Sequence, residues 1–278
     1  MITKKYYKVI RVSHQDSGVF HITNTSLETG YFTCTPDAGF GQTELLYSLD
    51  GVNFQTYDLT EHPQITVMPK SNIYLKGTHN GGYNRGAKMN MNFTQSHTAA
   101  GNIFSLSHKN DYTSITSING ASLFNGLFYG DTHLTSIKDI SLGNVVGFTS
   151  GKSNVFANAF NGCTSLVDVF DFSQLTGSLP DTTLEGTFSN CTSLKEGLDV
   201  TNITQVVGGA GWGMNSTYAG CTSLEFVYAP TVSTWENMNS WLSNVSASGI
   251  IYCKTQAVAD LIPSGASGCP SGWTKTVL

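Results

Sequence analysis

The side chains able to do chemistry are scattered rather than gathered. Of seven histidines, six precede residue 110, and none pairs with another at metal-ligand spacing. No C-x-x-C occurs, which argues against a zinc centre. His133 stands alone in the later part, at a position held elsewhere by Ser, and reads as an exposed turn residue. There is no G-x-S-x-G elbow and no P-loop. Gly208-Gly209-Ala210-Gly211-Trp212-Gly213 is glycine-rich but lacks a following Lys-Ser/Thr, so it reads as a flexible insertion. Cleaving a glycosidic bond takes two convergent carboxylates. The acids Asp139, Asp168, Asp171, Glu185, Glu196, Asp199 and Glu225 fall at non-equivalent places, and nothing singles out a pair. The expectation is a protein that is not an enzyme, with no catalytic residue, no metal and no cofactor.

Around these groups runs a phrase stated three times. Phe160-Asn161-Gly162-Cys163-Thr164-Ser165-Leu166 returns as Phe188 to Leu194 and as Tyr218 to Leu224. A weaker copy, Phe128 to Leu134, stands upstream with Asp131 in place of Cys. The leading aromatics at 128, 160, 188 and 218 are 32, 28 and 30 residues apart. Self-similarity at such a period signals units that stack, because one unit alone cannot bury its apolar side. The aromatic and the Leu are expected to form buried ladders. Cys fits a third, as a small, weakly polar core residue. The Asn or Gly before it and the Thr-Ser after it suit a tight turn. Asp131 reads as belonging to a first unit with one exposed side.

Six cysteines raise the question of disulfides. Equivalent positions in stacked units have parallel side chains, poor geometry for bridging. Cys163, Cys191 and Cys221 are therefore expected to be buried free thiols. Cys253 and Cys269 are left as the candidate pair, with Cys34 over.

Longer segments separate the units, at about residues 143–155, 176–183 and 204–214. Insertions at equivalent points of a stack share one edge, often the binding edge. These carry the candidate binding residues Phe148, Lys152, Asn154, Asp181 and Trp212, where an aromatic among polar groups suits a sugar or protein contact. For Trp212 the alternative is packing over the stack.

The flanks are turn-rich. Residues 6–12 and 18–23 read as strands of an extended arm. Strand-like runs at 30–35, 44–49, 54–57, 64–67 and 72–77, with a hairpin signal at Asp50-Gly51, argue a β-sandwich. Ser122 to Phe128 suits a short helical turn. Trp235, Met238, Trp241 and Leu242 lie at helical spacing and are expected to cover the C-terminal end. Residues 249–253 and 273–278 read as strands, and 255–261 as a helix capped by Thr255. Charged residues make up 12% of the chain, about half the usual share, with a net charge of −5 and no basic run. Nucleic-acid binding is not expected. No segment is long and apolar enough for membrane insertion, and residues 1–8 lack the apolar core of a signal peptide.

F-x-x-C-T-S-L followed by spaced hydrophobics resembles the BspA-type leucine-rich repeat, found in surface proteins of gut and oral bacteria and in phages that infect them. The resemblance covers about residues 121–242. It departs from the family in its longer units and in Asp131. The order S-L-D-G-x-x-F, then the I-Y-L-K-G at Ile73 to Gly77, is similar to immunoglobulin-like modules. Together they imply a mainly β chain: an arm at 1–28, an immunoglobulin-like β-sandwich at 29–108, a short leucine-rich-repeat solenoid at 109–242 and a C-terminal cap at 243–278. The implied function is that of a phage virion protein, a tail or head fibre contacting the bacterial host surface through the repeats. Its partners would be a host surface glycan or protein, other virion proteins and further copies of itself, the trimer being the common state of the fibre proteins it resembles. A bacterial cell-surface adhesin or glycan-binding protein is the alternative.

Overall fold

The computed structural model describes residues 18–79, 87–149, 151, 153–208 and 212–278. The strand expected at 6–12 lies outside them. The chain is mainly β, in several open sheets. Its first strands are β1 (His21–Asn24), β2 (Gly30–Cys34), β3 (Gln42–Ser48), β4 (Gln55–Thr56), β5 (Ile65–Val67), β6 (Asn72–His79), β7 (Met91–Phe93), β8 (His97–Asn102) and β9 (Leu134–Ser141). They make a six-stranded sheet in the order β4-β3-β6-β1-β8-β9 and a three-stranded sheet in the order β5-β2-β7. All pairings are antiparallel except β8 with β9. Alternation along β6 buries Ile73 and Leu75 on one face, as a period of two requires. The segment read as an arm supplies β1, which pairs on both of its edges. Between the two sheets, Phe32 meets Tyr57 edge-on at 5.8 Å, and the Tyr57 hydroxyl accepts from the Cys34 amide at 2.8 Å.

Further along, β10 (Gly177–Leu179) and β11 (Ile203–Val206) pair in parallel. A parallel sheet follows, of β12 (Phe226–Tyr228), β13 (Gly249–Cys253) and β14 (Trp273–Val277). The helix α1 (Gln256–Leu261) starts where the Thr255 hydroxyl accepts from the Val258 amide at 3.3 Å, the cap expected from sequence.

Successive repeats hydrogen-bond to one another along three tracks. The first runs along the side that holds β9, β12 and β13: Val167 donates to the Thr135 carbonyl (3.2 Å), Glu225 to that of Lys195 (2.8 Å) and Ile250 to that of Glu225 (3.0 Å). The second runs through the inter-unit segments, treated below. The third runs through the turns that carry the aromatics. There Phe128 donates to Ala159 (2.7 Å), Phe160 to Thr187 (2.9 Å), Phe188 to Thr217 (2.9 Å) and Tyr218 to Trp241 (3.0 Å). In this track every second amide points to the next layer, so no i→i−4 ladder can close. The backbone instead enters the left-handed region every fourth residue, as at Asn154, Asn158 and Gly162. This is why Gly or Asn stands two residues after the aromatic: Gly162, Asn190 and Gly220 have φ of +79°, +61° and +79°.

The same track corrects the helical expectation at 235–242. That stretch is turns, with Asn237 and Ser240 left-handed, because Asn237, Asn239 and Trp241 accept from the layer before them. Ser122 to Phe128 is likewise a run of turns.

The aromatics form one column. Phe128–Phe160, Phe160–Phe188 and Phe188–Tyr218 stack at 6.2, 5.4 and 5.8 Å, and Trp241 closes the column at 6.4 Å. Beside it, each thiol donates to the carbonyl of the preceding unit's aromatic: Cys163 to Phe128 (3.1 Å), Cys191 to Phe160 and Cys221 to Phe188 (both 3.0 Å). All six cysteines are free, Cys253 and Cys269 included.

Asp131 does not face solvent as expected; it is wholly buried. The layer before it offers donors instead of a carbonyl. The Asp131 carboxylate accepts from the Phe93 amide of that layer at 3.1 Å and from the His133 amide of its own turn at 2.9 Å. The N-terminal sheets run directly into the stack. β8 flanks β9 on the strand side, while Met89 and Met91 donate to Asn125 (2.9 Å) and Leu127 (2.7 Å) on the turn side. The buried apolar residues form a single cluster from Phe20 to Trp273. Among the described residues no helix is long and apolar enough to cross a membrane.

Candidate functional site

The inter-unit segments are not free loops. Ile118 donates to Gly147 (2.9 Å), Thr149 to Ile118 (2.8 Å), Thr176 to Val146 (2.9 Å) and Val207 to Leu179 (2.9 Å). With the β10–β11 pair these bonds make a short parallel ladder along one side of the stack. Fixing the backbones in this way fixes where their side chains point.

Three consecutive segments meet in a cleft of about 370 Å³. The first contributes Phe148, Thr149, Gly151 and Ser153; the second Ser178, Pro180 and Asp181; the third Val207. Phe148 is half-buried, and its ring is braced by Phe172 at 6.5 Å. The Asp181 Oδ1 atom is buried and has no hydrogen-bond partner. Asp181 is the one charged residue among the described residues lining the cleft.

The five residues singled out from sequence divide as follows. Phe148 and Asp181, 33 positions apart in sequence, come together in the cleft. Lys152 lies outside the described residues. Asn154 is buried, with φ of +56°, and its amide donates to the Asp181 carbonyl at 3.3 Å. It shapes the turn behind Asp181 and does not line the cleft. Trp212 is partly buried, also away from the lining, with its carbonyl accepting from Asn215 at 3.4 Å. Sequence reasoning missed Thr149, Gly151, Ser153, Ser178, Pro180 and Val207. The only signal for them was their place in the same segments, since which residue of a segment faces its neighbour depends on the ladder's register.

Elsewhere, titratable groups are buried within the core. Burial pushes the Cys163 and Cys191 thiols well up and Cys221 to about 12. Such thiols are poor nucleophiles. Among the described residues no group of His, Cys, Asp and Glu could hold a metal ion. Compared with protein-family models, with curated proteins and with solved structures, the chain matches none.

Proposed function

We propose that this chain is a non-enzymatic structural and recognition protein of a phage particle, a tail or head fibre or related appendage that contacts the bacterial host surface. In this reading the N-terminal sheets are an immunoglobulin-like β-sandwich, and the stacked units are a short leucine-rich-repeat solenoid of the BspA type closed by a C-terminal cap. The observation that carries it is the cleft built by three successive inter-unit segments, which gathers an aromatic ring, hydroxyls and one carboxylate on the side of a rigid stack. Recognition sites held on a hydrogen-bonded scaffold need no moving part. The continuous core from Phe20 to Trp273 also suits a strut that transmits force without a hinge.

The test has two arms. Labelled full-length protein is added to a panel of gut and oral bacteria, and antibody against it is used to decorate phage particles. Binding to a subset of cells together with decoration of particles is the expected result. Decoration of the bacterial envelope alone would move the chain to the surface-adhesin reading. Assembly into a homo-oligomer belongs to the same proposal, and light scattering on the intact chain measures it.

A further inference from the structure

We propose that the cleft beside Phe148 takes a neutral saccharide, with the Phe148 ring as its stacking face and the Asp181 carboxylate, which lines the cleft, as the acceptor for a sugar hydroxyl; this rests on the recognition reading above. A carboxylate oxygen withdrawn from water without a donor is costly. Asp181 Oδ1 is in that state, and the carboxylate it belongs to lines the cleft, so a ligand that donates to this carboxylate is favoured. An anionic group would meet charge repulsion from the Asp181 carboxylate in the lining. The other polar groups of the lining, on Thr149, Ser153 and Ser178, are hydroxyls that both donate and accept. That suits a ligand whose own groups do both. Phe148, Pro180 and Val207 supply apolar surface for the C–H face of a ring. The volume of about 370 Å³ lies at the lower end of small-ligand clefts, which run from about 300 to 1,000 Å³.

The experiment follows backbone amide signals of the full-length protein during addition of probes at about 10 mM, a concentration that reveals millimolar affinity. The probes are three neutral disaccharides (lactose, cellobiose and N,N′-diacetylchitobiose), an unsulfated uronic-acid disaccharide and lysine methyl ester. The expected result is movement of the Thr149, Ser153 and Ser178 signals with a neutral sugar and weaker binding of the uronic acid and the amine. Asp181→Ala and Phe148→Ala are each expected to weaken the sugar about tenfold or more. Asp181→Asn, which keeps the side chain's shape, guards against a folding defect in the alanine variant. Absence of cleft shifts with every neutral sugar, tighter binding of the amine or the uronic acid, or unchanged affinity in Asp181→Ala overturns the assignment. Binding of cells that persists in both alanine variants also overturns it while leaving the recognition reading in place. Sugar binding without cell binding would do the reverse.

Discussion

His97 Nε2 lies 3.4 Å from Asp131 Oδ2, and both side chains are fully buried. The pair sits where the N-terminal sheet meets the first repeat, with Phe93 and Phe128 rings 5.1 and 6.0 Å from the imidazole. Burial pushes the His97 pKa down, against the opposing pull of the Asp131 charge. A histidine with a depressed folded pKa is more readily protonated in the unfolded chain. Its contribution is therefore intact above the unfolded value of about 6.5 and is lost as pH falls below it. His79, lowered to about 4 by burial and by the neighbouring His108, acts in the same direction. The melting temperature is expected to fall between pH 7 and pH 5. His97→Gln, which does not titrate, should lower the melting temperature at pH 7 but give a shallower fall. An equal slope in both proteins would remove His97 from this role.

Asp131 and the repeat cysteines are matched to opposite partners, and exchanging them tests that match. Asp131→Cys leaves the buried Phe93 amide without its acceptor and is expected to cost about 2–4 kcal/mol in chemical denaturation. Cys191→Asp would press a carboxylate against the Phe160 carbonyl that the thiol now donates to, and should cost more than about 4 kcal/mol or prevent folding. Cys191→Ala, which only deletes the thiol, is expected to cost about 1–2 kcal/mol.

Phe188 has near-parallel rings on both sides, at interplanar angles of 9° and 5°. Phe188→Ala should cost about 3–5 kcal/mol, since neither neighbour can close the gap without breaking its own layer's bonds. Tyr218, the Tyr among Phe equivalents, accepts from the buried Leu198 amide at 2.9 Å. Tyr218→Phe should therefore cost about 1–3 kcal/mol despite its nearly unchanged shape. Urea titration of both variants measures these costs.

Alkylation of the native protein at pH 8, read by mass spectrometry, is expected to label Cys269 first, the half-buried thiol. Cys34, Cys163, Cys191 and Cys221 are wholly buried with raised pKa values. They should react only after unfolding. Early labelling of Cys191 would mean that the stack opens locally at the third unit.

The sequence by itself determined the repeating unit and its buried ladders. An apolar residue recurring at a fixed period must face its copies, and a glycine or asparagine beside it reports a left-handed turn. It also gave the Thr255 cap and the hairpin at Asp50-Gly51, because each depends on contacts within a few residues, and the strand at Gly249–Cys253, whose β-branched and aromatic run signals a strand whatever its partners. Local signals failed where a neighbour in the next layer decides the outcome. Trp235 to Leu242 has helical spacing, yet its carbonyls are taken by the layer before it. Asp131 looked exposed by comparison with Cys, yet the Phe93 amide 38 residues away made burial favourable. The meeting of Phe148 with Asp181, and the placing of Asn154 behind rather than inside the cleft, were set by the register of backbone bonds between segments about 30 residues apart. Only tertiary structure fixes that register, because turning a residue by one position in a parallel ladder moves its side chain to the other face.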